Sequence, residues 1–124
     1  MRISKILIVD DSPISRRMIK SSMPKESGYE FFEAGDGLQG LEMFQEVRPQ
    51  VTFMDLTMPV MDGITSVQEI MKLDETASVV VLTADIQAKM IMDAYQAGAF
   101  LVLKKPPTKE SIQDALNKVE ERES

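Results

Sequence analysis

Five short segments of the chain have the length and the apolar content of β-strands. Four of them are nearly continuous apolar runs, at residues 6–9, 51–54, 79–82 and 100–103. Short apolar runs of this kind are typical of parallel strands that are buried on both faces. The fifth segment, residues 29–34, mixes polar and apolar positions, and we therefore predict a strand nearer the edge of the sheet.

Amphipathic segments with recognisable helix boundaries separate the predicted strands. Ser12 is a candidate N-cap with Pro13 at the first helical position, and Thr108 precedes the last helix, whose apolar residues share one face. Aspartate and glycine mark the other boundaries, with Asp36-Gly37 and Gly63 at helix starts and Gly98 at a helix end.

The order of these elements is a strand followed by a helix, repeated five times. Right-handed crossovers between consecutive parallel strands place helices on both faces of such a sheet. We therefore predict an α/β fold with a doubly wound five-stranded parallel sheet. A length of 124 residues fits one domain, and we therefore expect a single domain spanning 1–124 without a second one.

Composition limits the chemistry that this domain can perform. The chain has no cysteine and no histidine, which excludes disulfides, thiolate nucleophiles, zinc–thiolate sites and imidazole bases. Functional groups must therefore be carboxylates, hydroxyls, lysine or arginine. The net charge of −6 argues against nonspecific binding to nucleic acid. We find neither a secretory leader nor an apolar stretch near the roughly 20 residues of a membrane span, so we expect no membrane insertion and a cytoplasmic location.

Ligands of doubly wound sheets bind at the carboxyl ends of the strands. In this chain polar residues follow the four apolar runs, in chain order Asp10-Asp11, Asp55, Thr83-Ala84-Asp85 and Lys104-Lys105-Pro106. With the strands in the order 2-1-3-4-5 and about 5 Å apart, three carboxylates, a hydroxyl and an ammonium group converge in one small cleft.

Carboxylates that share a cleft raise each other's pKa unless a cation is bound. Carboxylates, a backbone carbonyl and water are the ligands that Mg²⁺ prefers, and Mn²⁺ accepts the same oxygens. A carboxylate beside such an ion can attack a phosphoryl group. Asp55 has the best position for that role because it stands alone at the end of the central strand, whereas Asp10 and Asp11 form a pair suited to metal ligation. Thr83 and Lys105 can contact phosphoryl oxygens.

Four segments together resemble the receiver-domain signature of response regulators in two-component signalling. They are residues 6–12 (ILIVDDS), residues 54–63 (MDLTMPVMDG), residues 81–85 (VLTAD) and Lys105-Pro106. They span almost the whole chain in the order and spacing of the family. The chain is most similar to CheY-like members, which carry no output domain. This resemblance implies the flavodoxin-like (CheY-like) fold of five βα units with strand order 2-1-3-4-5.

The resemblance also implies roles for the acidic residues. Asp55 is the expected phosphoacceptor, and Asp10 and Asp11 are the acidic pair of the family. Asp11 and Asp55 are expected to bind the metal directly, together with the backbone carbonyl of Thr57. The implied cofactor is Mg²⁺, with Mn²⁺ as an alternative.

Thr83 and Lys105 are expected to contact the phosphoryl group. Lys105 is matched rather than Lys104 because it directly precedes proline, and this bond is commonly cis in the family. The chain departs from the family at two positions. Val102 stands where the family usually has an aromatic residue, and Pro107 where it often has a large apolar one.

The implied function is a phosphorylation switch. A histidine kinase or phosphotransfer protein donates to Asp55, and the surface of the fourth helix, fifth strand and fifth helix changes toward a downstream protein, such as a motor switch or relay protein. The domain promotes its own phosphorylation and dephosphorylation without being a turnover enzyme. We expect a monomer, or a dimer formed on phosphorylation, in a chemotaxis-type pathway or another phosphorelay. Met90, Met92 and Tyr95 are candidate partner contacts.

Some acidic residues also have structural interpretations. We interpret Asp36 and Asp62 as turn or capping residues. Asp85 is a candidate N-cap of the fourth helix, although it and Thr57 occupy positions that modulate hydrolysis of the acyl phosphate in the family. Taken alone, Asp10-Asp11 would also suit a helix N-terminus.

Three other functions stay open from the sequence. A metal-dependent phosphatase or phosphotransferase would use Asp55 as a turnover nucleophile, but such enzymes usually carry an acid two residues later, where this chain has Thr57. A nucleotide- or flavin-binding module is compatible with the fold, but the chain lacks a GxxxxGK loop. A receiver-like scaffold that is not phosphorylated would keep the residues without the chemistry.

Overall fold

The computed structural model describes residues 3–25 and 27–123. Within these residues strands and helices alternate strictly. Their bounds are β1 Lys5–Val9, α1 Pro13–Ser21, β2 Glu30–Ala34, α2 Gly37–Val47, β3 Val51–Asp55, α3 Gly63–Leu73, β4 Val79–Thr83, α4 Ala88–Ala97, β5 Leu101–Lys104 and α5 Lys109–Glu123. None of the described helices is long and apolar enough to cross a membrane.

The strands form one parallel sheet in the order β2-β1-β3-β4-β5. Across its centre, Ile8 of β1 pairs with Phe53 of β3, which pairs with Val80 of β4, and Val80 pairs with Leu101 of β5. Each parallel connection requires a helical crossover. The predicted doubly wound fold and its strand order are therefore confirmed.

Two apolar clusters, one on each face of the sheet, form the core. Alternation along β1 sends Ile6 and Ile8 toward α1 and α5, where they pack with Leu116, and sends Leu7 toward α2 and α3, where it packs with Phe44. All five of these side chains are at most 2% exposed. Burial of a side chain of this size stabilises the fold by about 1.5–3 kcal/mol, so the central strands are held firmly from both sides.

β5 departs from the prediction of burial on both faces. β1, β3 and β4 are buried on both faces as predicted, but the side chains of Leu101, Val102 and Leu103 are only partly buried and Lys104 is exposed. The reason is that β5 is the last strand of the sheet and has a neighbour on one side only. Its apolar run packs against both clusters yet leaves one edge open. β2, predicted nearer the edge, is the other outermost strand.

The residues predicted to cap the N-termini of helices do so in the structure, with one exception. The side chains of Ser12, Asp36 and Asp62 each accept a hydrogen bond from the backbone N–H three residues later, which satisfies a donor at the start of a helix. The hydroxyl of Thr108 does the same for Ser111 at 3.0 Å.

The exception is Asp85, which is not the N-cap of α4. Gln87 occupies that position and makes no side-chain capping bond. Asp85 lies two residues earlier, and its carboxylate accepts a hydrogen bond of 3.0 Å from the N–H of Gln87. The prediction was wrong because the loop after β4 continues farther than the sequence indicated, so Asp85 stabilises the loop instead of the first helical turn.

Candidate functional site

The carboxyl ends of four neighbouring strands carry the candidate site. Asp10 follows β1, Asp55 is the last residue of β3, Thr83 is the last residue of β4, and Lys105 follows β5. The parallel register places these ends at the same edge, since Asp55 pairs with Leu82 and Thr83 pairs with Lys104. Convergence of these residues was expected from the sequence, and the structure brings the three aspartates and Lys105 together.

Asp10, Asp11 and Asp55 form a compact acidic cluster. One carboxylate oxygen from each lies within 4.8 Å of the others. Asp10 is 1% exposed and Asp55 is 7% exposed, whereas Asp11 faces solvent. Two buried acids and one exposed acid therefore line the same cleft, and Asp11 stands at its entrance.

Asp10 is the most heavily bonded member of the cluster. Its Oδ1 accepts from the backbone N–H of Ser12 at 2.9 Å, and its Oδ2 accepts from Oγ of Ser15 at 2.5 Å and from Nζ of Lys105 at 2.8 Å. Burial alone raises the pKa of Asp10, but the hydrogen bonds from Lys105, Ser15 and Ser12 outweigh it and leave the pKa below its ordinary value. Asp10 is thus held as a carboxylate.

Lys105 bridges Asp10 and Asp55. Its Nζ lies 2.8 Å from Oδ2 of Asp10 and 3.4 Å from Oδ1 of Asp55. Burial lowers the pKa of Lys105, but the bond to Asp10 and the charge of Asp55 more than compensate and raise it above its ordinary value. Lys105 is therefore a fixed positive charge facing Asp55. The bond between Lys105 and Pro106 is cis, as the resemblance implied.

Asp55 is electrostatically unlike Asp10. Burial raises its pKa, and the negative charges of Asp10 and Asp11 raise it further, while the charge of Lys105 and its hydrogen bond oppose them only in part. The pKa therefore lies above its ordinary value. One lysine does not balance three carboxylates, so the cluster as it stands has an excess of negative charge.

Thr83 and Thr57 have different surroundings from the aspartates. Thr83 is buried at the end of β4, where its Oγ1 accepts from the N–H of Asp85 at 3.0 Å and lies 3.3 Å from the Asp85 carbonyl. Its hydroxyl thus belongs to the β4–α4 loop. Thr57 is exposed in the β3–α3 loop, two residues after Asp55, and metal ligation by its carbonyl stays a prediction.

The β3–α3 loop packs directly against the end of β3. The N–H of Gly63 donates to the carbonyl of Leu56 at 3.0 Å, and a Cβ at this position would collide with the carbonyl of Asp55. Only glycine allows α3 to begin this close to the site. Within the same loop Val60 adopts a φ of 68°, a left-handed conformation that is rare for a β-branched residue. The loop therefore fixes the backbone of Asp55 at the expense of local strain.

Two residues of the site were not identified from the sequence. Ser15 donates to the Asp10 carboxylate, and Nη1 of Arg16 donates to the backbone carbonyl of Asp10 at 2.5 Å. The position of Ser15 could have been predicted in part, because side chains in the first turn of a helix point back toward the preceding loop, and Ser15 lies three residues after the N-cap Ser12. The acceptor of that hydroxyl, however, becomes clear only when the end of β1 and the start of α1 are seen together.

The donor set suits a hard divalent cation. The cluster offers only oxygen ligands, and Mg²⁺ and Mn²⁺ prefer carboxylates and carbonyls. Three carboxylates face one lysine in this cleft, and a bound cation would supply the positive charge that they lack. The residues present therefore fit a magnesium site.

Comparisons with known proteins agree with this geometry. The response regulator receiver domain family matches residues 6–117. The chemotaxis protein CheY of Thermotoga maritima is 40% identical over 116 residues, covering 93% of this chain and 96% of that protein. Sporulation initiation phosphotransferase F of Bacillus subtilis is 36% identical over 114 residues, covering 92% of this chain and 91% of that protein.

A solved structure with the same fold is the CheX-CheY-BeF3-Mg complex of Borrelia burgdorferi. It aligns with a TM-score of 0.86 and 26% identity, over 94% of this chain and 88% of that chain. The family match covers nearly all of the chain, and two curated relatives exceed 30% identity over almost their full length. The chain therefore belongs to the response regulator receiver domain family.

Proposed function

We propose that this response regulator accepts a phosphoryl group on Asp55 in a magnesium-dependent reaction. The donor is the phosphohistidine of a histidine kinase or phosphotransfer protein, in a chemotaxis-type pathway or another phosphorelay. Similarity to CheY and to sporulation initiation phosphotransferase F supports the pathway class. The magnesium in the related CheX-CheY-BeF3-Mg complex supports the cofactor.

The observation that carries the proposal is the arrangement of charge around Asp55. Carboxylate oxygens of Asp10, Asp11 and Asp55 lie within 4.8 Å of one another, and Nζ of Lys105 is 3.4 Å from Asp55. Asp10, Asp11 and Asp55 would hold Mg²⁺, which when bound neutralises charge on the transferring phosphoryl oxygens. Lys105 offers a further positive charge beside Asp55.

The chemical step is a phosphoryl transfer between two acceptors. A carboxylate oxygen of Asp55 forms a bond to phosphorus while the bond from phosphorus to the histidine nitrogen breaks, and the electron pair stays with the imidazole. The product is an acyl phosphate on Asp55. Its oxygens are strong acceptors, and Lys105 exchanges its bond to Asp10 for one to the phosphoryl group.

Phosphorylation would then change the loop after β4. The hydroxyl of Thr83 donates to the Asp85 carbonyl at 3.3 Å in the unmodified protein, and a phosphoryl oxygen on Asp55 competes for this donor. Loss of that bond frees the β4–α4 loop and alters the face formed by α4, β5 and α5. A downstream protein reads this difference, because only contacts that differ between the two states can shift the equilibrium.

The test is intact-mass measurement after incubation with acetyl phosphate, with and without magnesium. We expect a phosphoryl adduct on the wild type only with magnesium, and none on Asp55→Asn. Asp114→Asn is the matched control, because Asp114 is an exposed acid on α5, and it should form the adduct normally. A magnesium-independent adduct, or one that persists in Asp55→Asn, contradicts the proposal.

We also infer that the domain is a phosphoacceptor and not a turnover phosphatase. The residue two positions after Asp55 is Thr57, which cannot act as the acid that such enzymes use. The same preparation should therefore hydrolyse p-nitrophenyl phosphate no faster than Asp55→Asn. Sustained turnover that depends on Asp55 would favour the phosphatase alternative.

A further inference from the structure

Ser15 joins the first turn of α1 to the acidic cluster. Its hydroxyl donates to Oδ2 of Asp10 at 2.5 Å, and its backbone N–H donates to Oγ of Ser12 at 3.2 Å. The N–H of Ser12 in turn donates to Oδ1 of Asp10 at 2.9 Å. These bonds form a closed ring through three residues, and the ring holds both oxygens of the Asp10 carboxylate against α1.

The bond between Ser15 and Asp10 has the length of a strong, charge-assisted hydrogen bond between a hydroxyl and a carboxylate. Because Asp10 is 1% exposed, water has little access to replace a lost donor. The rotation of the Asp10 carboxylate is therefore set by Ser12, the N-cap of α1, by Ser15 in its first turn, and by Lys105, which lies across the sheet.

Lys105 cannot remain bonded to Asp10 when it contacts a phosphoryl group on Asp55. It shares Oδ2 of Asp10 with Ser15, and it also lies 3.4 Å from Asp55. When Lys105 turns to a phosphoryl group on Asp55, Asp10 loses its cationic partner. Ser15 is then the remaining side-chain donor to Oδ2 among the described residues.

We propose that Ser15 is a positioning residue for Asp10, which orients this carboxylate for the metal and keeps it bonded when Lys105 turns to the phosphoryl group. This inference rests on the proposed function of the cluster. Partners that orient a metal-binding carboxylate typically change metal affinity by about 10–100-fold when they are removed. Ser15 itself touches neither the metal nor the phosphoryl group.

The test is isothermal titration of the full chain with MgCl₂, without any phosphodonor. We expect Ser15→Ala to bind Mg²⁺ about tenfold more weakly than the wild type, and Ser15→Thr, which keeps the hydroxyl, to bind nearly as well. Ser21→Ala is the matched control: Ser21 lies on the same helix and its hydroxyl donates to the Met18 carbonyl at 2.9 Å, away from the cluster. Its Mg²⁺ affinity should not change.

Thermal unfolding without magnesium checks that each variant is folded. If Ser15→Ala does not fold, Ser15→Cys replaces it, because a thiol of similar size is a weak donor. A Mg²⁺ dissociation constant within about twofold of the wild type in the folded variant overturns the role of Ser15. Absence of Mg²⁺ binding by the wild type is a different result, and it overturns the proposed function itself.

Discussion

The hydroxyl of Tyr95 on α4 accepts a hydrogen bond from the backbone N–H of Val102 on β5, at 3.2 Å. The N–H of Lys105 points inward to the Thr83 carbonyl of β4 at 2.9 Å. Because backbone groups alternate along a strand, the N–H of Val102 faces the open edge of the sheet. Tyr95 therefore caps a backbone donor on the free edge of β5.

Removal of the Tyr95 hydroxyl should expose this donor. In Tyr95→Phe the amide of Val102 should exchange with deuterium about fivefold faster, which corresponds to a hydrogen bond worth about 1 kcal/mol. Tyr29→Phe is the control, since Tyr29 lies on the β2 side of the sheet with its ring against Phe31. Unchanged protection of Val102 in Tyr95→Phe would show that the hydroxyl contributes nothing to this edge.

The strained backbone at Val60 should respond to a residue that tolerates the left-handed region. Val60 has a φ of 68° and is 78% exposed, so it gains little from burial. Val60→Asn should stabilise the protein by about 1 kcal/mol in urea unfolding, because asparagine adopts this conformation at lower cost. Ile86→Asn replaces an exposed apolar residue without a positive φ and should give no gain. Equal effects in the two variants would rule out strain as the cause.

Neutralisation of Asp55 should stabilise the magnesium-free protein. Since burial and the charges of Asp10 and Asp11 raise the pKa of Asp55, its ionised form costs folding free energy near neutral pH. Asp55→Asn should raise the free energy of unfolding by about 1 kcal/mol without magnesium. Saturating magnesium should stabilise the wild type more than the variant and narrow or reverse the difference. A variant less stable than the wild type under both conditions would contradict this electrostatic account.

Glu33 should make stability depend on pH in the acid range. The hydrogen bond from Lys20 is the largest influence on Glu33 and, with Arg16, it lowers the pKa below the ordinary 4.5 despite partial burial. An acid with a depressed folded-state pKa stabilises the protein above its unfolded-state pKa, and this contribution is lost as pH falls through the folded-state value.

The matching measurement compares urea unfolding of the wild type and Glu33→Gln at two pH values. Because the Glu33 side chain is 36% exposed, we expect a loss of only about 0.5 kcal/mol near neutral pH, and a progressively smaller loss as the pH falls below the ordinary pKa of 4.5. Glu30→Gln on the same strand controls for the change of side chain. A loss that is equal at both pH values would exclude the ion pairs as its source.

Local patterns were sufficient for most of the fold. The apolar runs predicted β1, β3 and β4, and the caps at Ser12 and Asp36 lie where hydroxyl and carboxylate groups precede amphipathic segments. These signals are visible in the sequence because each depends on neighbouring residues only. The prediction was wrong for Asp85, whose capping role depends on the length of a loop that the sequence does not set.

The sequence by itself determined that Asp10, Asp55, Thr83 and Lys105 lie at one edge of the sheet, because each ends or follows a strand whose place in the order is set by the fold. Only the tertiary structure decided which of these side chains bond to one another. Lys105 reaches Asp10 across 95 positions of chain, and Ser15 shares its acceptor oxygen. Likewise, the open edge of β5 and its cap at Tyr95 follow from the position of the strand in the sheet. Such contacts depend on distances between elements far apart in the chain, and these distances are set by packing of the whole core.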